Sequence, residues 1–248
     1  MIKIKTETEI EHMQKAGSIV AQVHELMRSL VRPGVTTAEL DAKAEELILR
    51  QGAVPSFKGY GGFPASICTS VNDEVVHGIP SSRVLLEGDI ISIDAGALIN
   101  GYHGDAAQTL PVGTVSPEIE KLLKTTEQSL YLGIDQAVAG ARLGDISHAI
   151  QSWCERQGFS VVREFVGHGI GEDLHEDPQV PNHGPPHKGI RLQPGMAIAV
   201  EPMINLGKPG VKVLDDGWTV KTEDGSPSAH FEHTIVVTKA EPLVLTKW

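Results

Sequence analysis

Apolar residues at Ile10, Met13, Val20 and Met27 recur at helical spacing, and Thr8 with Glu11 has the capping-box pattern of a helix start. Pro33-Gly34 ends that stretch. Thr36 and Glu39 repeat the capping pattern for a second helix through Leu40, Ala44 and Leu47, closed by Gly52. A third opens at Ser116-Pro117 and carries Ile119, Leu122, Leu123, Leu130 and Ile134. A shorter fourth is predicted from Asp145 to Gln157, with Ile146, Ile150 and Trp153 on one side. After each helix pair come β-branched runs broken by Gly, Asn and Asp, which read as antiparallel strands and hairpins.

That order occurs twice. Pro33-Gly34 through Arg50-Gln51-Gly52 is echoed by Ala139-Gly140 through Arg156-Gln157-Gly158, at an offset of 106. Gly88 precedes Asp94 by six residues, as Gly195 precedes Glu201, at an offset of 107. Each acid ends an apolar run, Ile90-Ile91-Ser92-Ile93 in one case and Ala197-Ile198-Ala199-Val200 in the other. Such a repeat predicts an α+β fold of two pseudo-symmetric halves, about 1–110 and 111–248, with antiparallel sheet flanked by helices. The halves are expected to pack as one domain over residues 1–248.

Composition narrows the function. Forty per cent hydrophobic and 21% charged residues suit a globular chain with a substantial core. Lys+Arg number 21 against 32 Asp+Glu, a net charge of −11, which argues against nucleic acid or an anionic membrane as partner. No apolar run approaches the roughly 20 residues that span a bilayer, and Met1 to Met13 lacks the apolar core of a secretory signal. Cys68 and Cys154 form no spaced framework, so free thiols and a cytoplasmic location are expected.

The strongest local chemistry lies between Asp94 and Asp105. Asn100-Gly101 is a preferred pair for a two-residue type I′ hairpin turn. With those two as the loop, Asp105 sits opposite Gly96 and therefore on the same sheet face as Asp94. The carboxylates are then diagonal neighbours, about 7–8 Å apart at the backbone, and can converge on one or two cations. A three-residue loop would break that parity. Two solvated acids on an exposed hairpin are the alternative, but Ile93, Ala95 and Gly96-Ala97-Leu98 are apolar for a surface ribbon. In the second half, Glu201 occupies the position equivalent to Asp94, and Glu232 lies inside the β-prone run Phe231-Glu232-His233-Thr234-Ile235-Val236-Val237. An acid buried there needs a cation from solution or a buried Arg or Lys, and few basic residues lie near these strands. His168, in Gly167-His168-Gly169-Ile170-Gly171, has glycines that are expected to let a ligand approach and to clear space around the imidazole. His77 and His175 are intermediate on sequence alone, and His12, His24, His148, His183 and His187 are given no role. Four carboxylates and one imidazole suit borderline or hard divalent cations, and four negative charges match two of them.

Val76-His77-Gly78-Ile79-Pro80, Asp94-Ala95-Gly96, Gly104-Asp105, Gly167-His168-Gly169-Ile170-Gly171, Pro194-Gly195-Met196 through Glu201-Pro202-Met203, and Phe231-Glu232-His233-Thr234 follow in an order and spacing that are specific together. Over essentially the whole chain they resemble the methionine aminopeptidase family of the bacterial type (type I), whose fold is the pita-bread α+β fold. The resemblance implies co-translational removal of the initiator methionine from nascent polypeptides when the next residue is small. It implies two divalent metal ions per chain (Co2+, Mn2+, Fe2+ or Zn2+), held by Asp94, Asp105, His168, Glu201 and Glu232, with Asp105 and Glu232 bridging. Glu201 would carry the proton from the attacking water to the leaving amine, His77 would face the scissile amide nitrogen, and His175 the carbonyl oxygen. Tyr60, Phe63, Cys68 and Trp218 would form the methionine pocket, although core packing alone would also account for Cys68. A monomer in transient association with the ribosome is the expected working state.

The chain departs from the family pattern at Gly61, Phe63, Leu174 and His230, where histidine, tyrosine, phenylalanine and glutamine are usual. His230, two residues from Glu232, is expected to be a neutral group bonded to a ligand or the substrate; the alternative is a solvated edge histidine. A family variant with an N-terminal zinc-binding extension is not expected, because Met1 lies a few residues before the first helix. The competing readings are a prolidase or aminopeptidase P, which usually carries a large N-terminal domain, and a non-catalytic peptide-binding relative, which would lose metal ligands.

Overall fold

Helix pairs precede strands in each half of the computed structural model, which describes residues 2–248. The first half runs α1 (Glu7–Leu30), α2 (Thr37–Arg50), β1 (Val54–Pro55), β2 (Ile67–Val71), β3 (Glu74–Val76), β4 (Ile90–Ile99) and β5 (Tyr102–Pro111). The second runs α3 (Pro117–Ile134), α4 (Leu143–Arg156), β6 (Ser160–Val161), β7 (Gly167–Gly169), β8 (Glu176–Val180), β9 (Ala197–Val200) and β10 (Met203–Asn205). It continues with β11 (Val211–Val213), β12 (Val220–Thr222), β13 (Ser228–His230), β14 (Glu232–Val236) and β15 (Leu243–Val244). Both ends of α4 lie 106 residues after the corresponding ends of α2.

Local chemistry sets the helix ends, with two adjustments to the expectation. The cap of α1 is Thr6 with Glu9, not Thr8 with Glu11: Thr6 accepts from Glu9 N and Glu9 accepts from Thr6 N at 2.7 Å. Two overlapping capping patterns occur there, and the earlier one is used because the Lys5 amide is already bonded to Gly195 O at 2.8 Å, holding the preceding chain extended. Helix α4 begins at Leu143, two residues before Asp145, whose carboxylate instead accepts from Arg142 N at 2.8 Å. The Thr36–Glu39 box and the Ser116 cap with Pro117 in the first turn form as predicted.

One nine-stranded antiparallel sheet joins the halves in the order β1-β4-β5-β14-β9-β7-β8, with β2 also on β4 and β15 on β14. The junction is β5 against β14. Alternation along each strand sorts residues to two faces. Ile91, Ile93, Ala95 and Ala97 of β4 pack with Val20, Met27, Leu40 and Ile48 of α1 and α2. Ile198, Val200 and Ile235 pack with Leu122, Leu130, Ile146 and Ile150 of α3 and α4. Each helix pair thus covers the sheet strands of its own half. What remains uncovered by helices is the opposite face, and every candidate acid points there.

Candidate metal centre and substrate pocket

The Asn100-Gly101 loop takes φ values of 54° and 79°, both positive as a type I′ turn requires. The register follows: Gly96 pairs with Asp105 and Asp94 with Ala107. Glu232 of β14 pairs with Ala107 from the other side. Asp94 and Glu232 therefore flank one alanine, and Asp105 lies two residues along from it on the same face. On β14, His233 pairs with Val200, so Glu201 falls level with Glu232 one step further on. Gly169 pairs with Ile198, and one step back His168 is level with Ala199, again on that face. Sheet parity alone directs all five side chains to one side. Thr234 locks the junction, donating to Asp105 O at 2.7 Å and accepting from Asp105 N at 3.0 Å.

The glycines around His168 do a different job from the one expected. A Cβ on Gly167 would collide with Ala199 O, and one on Gly169 with Asp177 O. They let β7 sit between β8 and β9; they do not make room for a ligand.

Electrostatically the centre is unfinished as it stands. Asp105 is 4% and Glu232 2% exposed, and Asp94 Oδ1, Asp105 Oδ1 and Glu232 Oε1 are buried with no hydrogen-bond partner. Among the described residues no Lys or Arg makes an ion pair with any of the four acids. Burial pushes Asp94 up to about 7. Burial, reinforced by the neighbouring carboxylates, holds Asp105, Glu201 and Glu232 well above the usual carboxylate range. Such a cluster is costly unless it binds protons or cations.

The imidazole beside it is built to donate a lone pair. Burial takes the His168 pKa down to about 3, so the ring is neutral. Its Nδ1 lies 2.8 Å from Gly169 O, a pure acceptor, so Nδ1 carries the hydrogen. Nε2 is left free, 3.5 Å from Glu201 Oε1 and 4.0 Å from Asp105 Oδ2. Donor atoms of Asp105, His168 and Glu232 lie within 4.8 Å of one another, and so do those of Glu201, His230 and Glu232. Two donor triads sharing Glu232, all oxygen and nitrogen, fit a pair of divalent cations. Asp94 belongs to neither triad, but it shares the sheet face of Asp105 and lines the same cavity.

A single cavity of about 190 Å³ is lined by every residue that the resemblance assigns to the metals, the peptide or the methionine pocket: Tyr60, Phe63, Cys68, His77, Asp94, Asp105, His168, His175, Glu201, Trp218 and Glu232. One water needs only about 10–15 Å³, so this space holds a ligand group. Trp218 meets Phe63 edge-on with centroids 5.1 Å apart, and Cys68, paired in register with Asp94, closes the floor beside Phe63. Cys68 thus serves the pocket wall and the local core together. Burial pushes its thiol pKa up, so it is an apolar lining group. His77 holds a left-handed backbone (φ 60°), and burial takes its pKa down to about 4. His175 stands at the rim, its ring 4.2 Å from that of His168 and its Nδ1 2.8 Å from the Tyr60 hydroxyl.

His230 is 1% exposed, which overturns the solvated-edge alternative. It closes β13, one residue before β14, and its Nε2 lies 3.7 Å from Glu201 Oε2 and 4.0 Å from Glu232 Oε2. It is a member of the second triad, which sequence reasoning missed; its offset of two from Glu232 was the available signal. Phe57, Val76, Phe165, Val166 and Met203 also line the cavity and were not singled out. Phe165 and Met203 each lie within three residues of a predicted ligand, whereas Phe57 has no sequence signal.

Metallopeptidase family M24 matches residues 11–239. The methionine aminopeptidase 1 of Bacillus subtilis is 59% identical over 247 residues, covering 100% of both chains. A methionine aminopeptidase structure from Thermotoga maritima superposes with a TM-score of 0.99 at 46% identity, covering both chains completely. An Xaa-Pro dipeptidase from Bacillus anthracis is more distant, with a TM-score of 0.79 and 26% identity over 99% of this chain and 62% of that one.

Proposed function

The chain belongs to metallopeptidase family M24, and from that premise we propose an aminopeptidase that removes the initiator methionine from new polypeptides, acting as a single catalytic domain over 1–248. The full-length similarity to methionine aminopeptidases supports the reaction, and the distance of the Xaa-Pro enzymes argues against the prolidase reading. The observation that carries the chemistry is the convergence of Asp94, Asp105, His168, Glu201 and Glu232 on one sheet face, with buried carboxylate oxygens left without partners.

Those five residues would hold two divalent cations, with His168 offering Nε2. Bound cations supply a nucleophilic water at neutral pH and charge for the developing oxyanion. Glu201 takes the proton from the attacking water and delivers it to the leaving amine. His175 donates to the carbonyl oxygen and His77 orients the scissile nitrogen. The methionine side chain lies among Tyr60, Phe63, Cys68 and Trp218, where an unbranched thioether gains sulfur–ring contacts. The free amino group of the substrate reaches the Asp94 side, which restricts cleavage to chain termini, and cleavage is proposed where the second residue is small. No helix among the described residues is long and apolar enough to cross a membrane. A cytoplasmic monomer that meets nascent chains near the ribosome is the working state we infer.

Cleavage of Met-Ala-Ser, Met-Lys-Ser and Ala-Pro-Ala, with elemental analysis of the same sample, tests this reading. Met-Ala-Ser is cleaved fastest. Preference for Ala-Pro-Ala, or equal rates on the two methionyl peptides, overturns it.

A further inference from the structure

His175 sits on a short segment, Gly171 to Glu176, that the sheet anchors only at its ends, where Gly171 O accepts from His103 N of β5 at 2.8 Å and Glu176 opens β8. The next residue, Glu176, points inward, its side chain 6% exposed, and receives Lys5 Nζ at 2.6 Å; the Lys5 side chain is 2% exposed. Lys3 reaches the other oxygen of Glu176 from the surface at 3.4 Å. Lys5 in turn is fixed by its backbone, through the bond to Gly195 O and the neighbouring bridge of Ile4 with Met196. Gly195 and Met196 lead directly into β9 and Glu201. Gly171 closes against the same ammonium group, since a Cβ there would collide with Lys5 Nζ. A buried lysine–carboxylate pair is an expensive way to fill space, and its best-attested use is to set one register.

We infer that Lys5 is a positioning residue for His175: its ion pair with Glu176 holds the Gly171–Glu176 segment so that the imidazole stays over the metal centre. The N-terminal segment, which does not line the cavity, thereby positions a residue that does. Displacements near 1 Å in such a group cost up to ~100-fold in rate. The inference rests on the proposed role of His175, and the test separates the two.

Four variants are compared with wild type on Met-Ala-Ser: Lys5→Met, Lys5→Arg, His175→Ala and the double Lys5→Met/His175→Ala. Amide hydrogen exchange over residues 171–176 is measured on each, metal-free. Lys5→Met lowers kcat about tenfold or more with KM little changed, and speeds exchange in that segment; Lys5→Arg restores most of both. In the His175→Ala background Lys5→Met has no further effect on kcat. If His175→Ala lowers kcat and Lys5→Met does not, the positioning role is wrong while the reading of His175 stands. If His175→Ala leaves kcat unchanged, the reading of His175 fails and this inference with it. Additive losses assign Lys5 a general structural role and also overturn it. Should Lys5→Met not fold, Glu176→Gln replaces it in the same comparison, with the same expected and contrary results.

Discussion

The Tyr60 hydroxyl lies 2.8 Å from His175 Nδ1, joining two residues of the cavity wall across 115 positions of sequence. The contact orients an imidazole that is otherwise exposed at the rim. A hydrogen bond of this kind is worth about 0.5–1.5 kcal/mol, so Tyr60→Phe should lower kcat/KM about two- to tenfold. The loss should vanish when His175 is already alanine. Equal losses in both backgrounds would place the tyrosine's role elsewhere.

Glu201→Gln should keep the fold and leave KM within about threefold while lowering kcat by about 10²–10⁴, the usual span for losing a general base. The amide would still offer its oxygen to a cation but takes no proton. Near-wild-type single-turnover rates would show that the proton travels by another group.

Chelation should abolish activity, and Co2+, Mn2+ or Fe2+ should restore it. Stability should follow, because the carboxylates are buried without cationic partners. Metal at 100 times its dissociation constant contributes about 2.7 kcal/mol per site, so Tm rises on titration. A Tm insensitive to metal, with full activity in protein shown metal-free by elemental analysis, would end the dinuclear reading.

Gly61 has a left-handed φ of 56°, and a Cβ there would come 3.3 Å from Trp218 Cη2. The departure from the family's usual histidine therefore lets the indole lie close over the pocket loop. Gly61→His should displace Trp218 and raise KM for Met-Ala-Ser several-fold, with a smaller change in kcat. An unchanged KM together with unchanged Trp fluorescence would show that the indole does not depend on that gap.

His24 concerns stability. Fully buried on α1, it lies 2.8 Å from Ala106 O through Nε2, receives Gln108 Nε2 at Nδ1, and packs on Trp248 4.7 Å away. Burial, helped by the nearby Arg28 charge and opposed by the Ala106 carbonyl, takes its pKa down to about 4. The unfolded chain binds the proton near pH 6.5, so this contribution is fully present above 6.5 and is lost as pH falls toward 4. It amounts to roughly 3 kcal/mol at most. His24→Gln should flatten the decline of Tm between those limits relative to wild type. Parallel curves would rule out His24 as the titrating group.

Much of this centre was legible before any folding. The Asn100-Gly101 turn type and the alternation of strand residues follow from local backbone sterics, and together they place Asp94 and Asp105 on one face. The repeat marked Glu201 as the equivalent of Asp94 for a similar reason, since an acid ending an apolar strand is a local pattern. Tertiary structure decided the rest. That β14 enters between β5 and β9, bringing Glu232 beside Ala107 and admitting His230 to a donor triad, depends on which strand edges pack. Likewise the glycines beside His168 look like ligand clearance in sequence, yet they answer to carbonyls of neighbouring strands. The contacts of Tyr60 with His175 and Lys5 with Glu176 span more than 100 residues. Local propensity acts over a turn or a few residues; contacts at that separation are selected by the packing of the whole sheet, and no spacing rule along the chain encodes them.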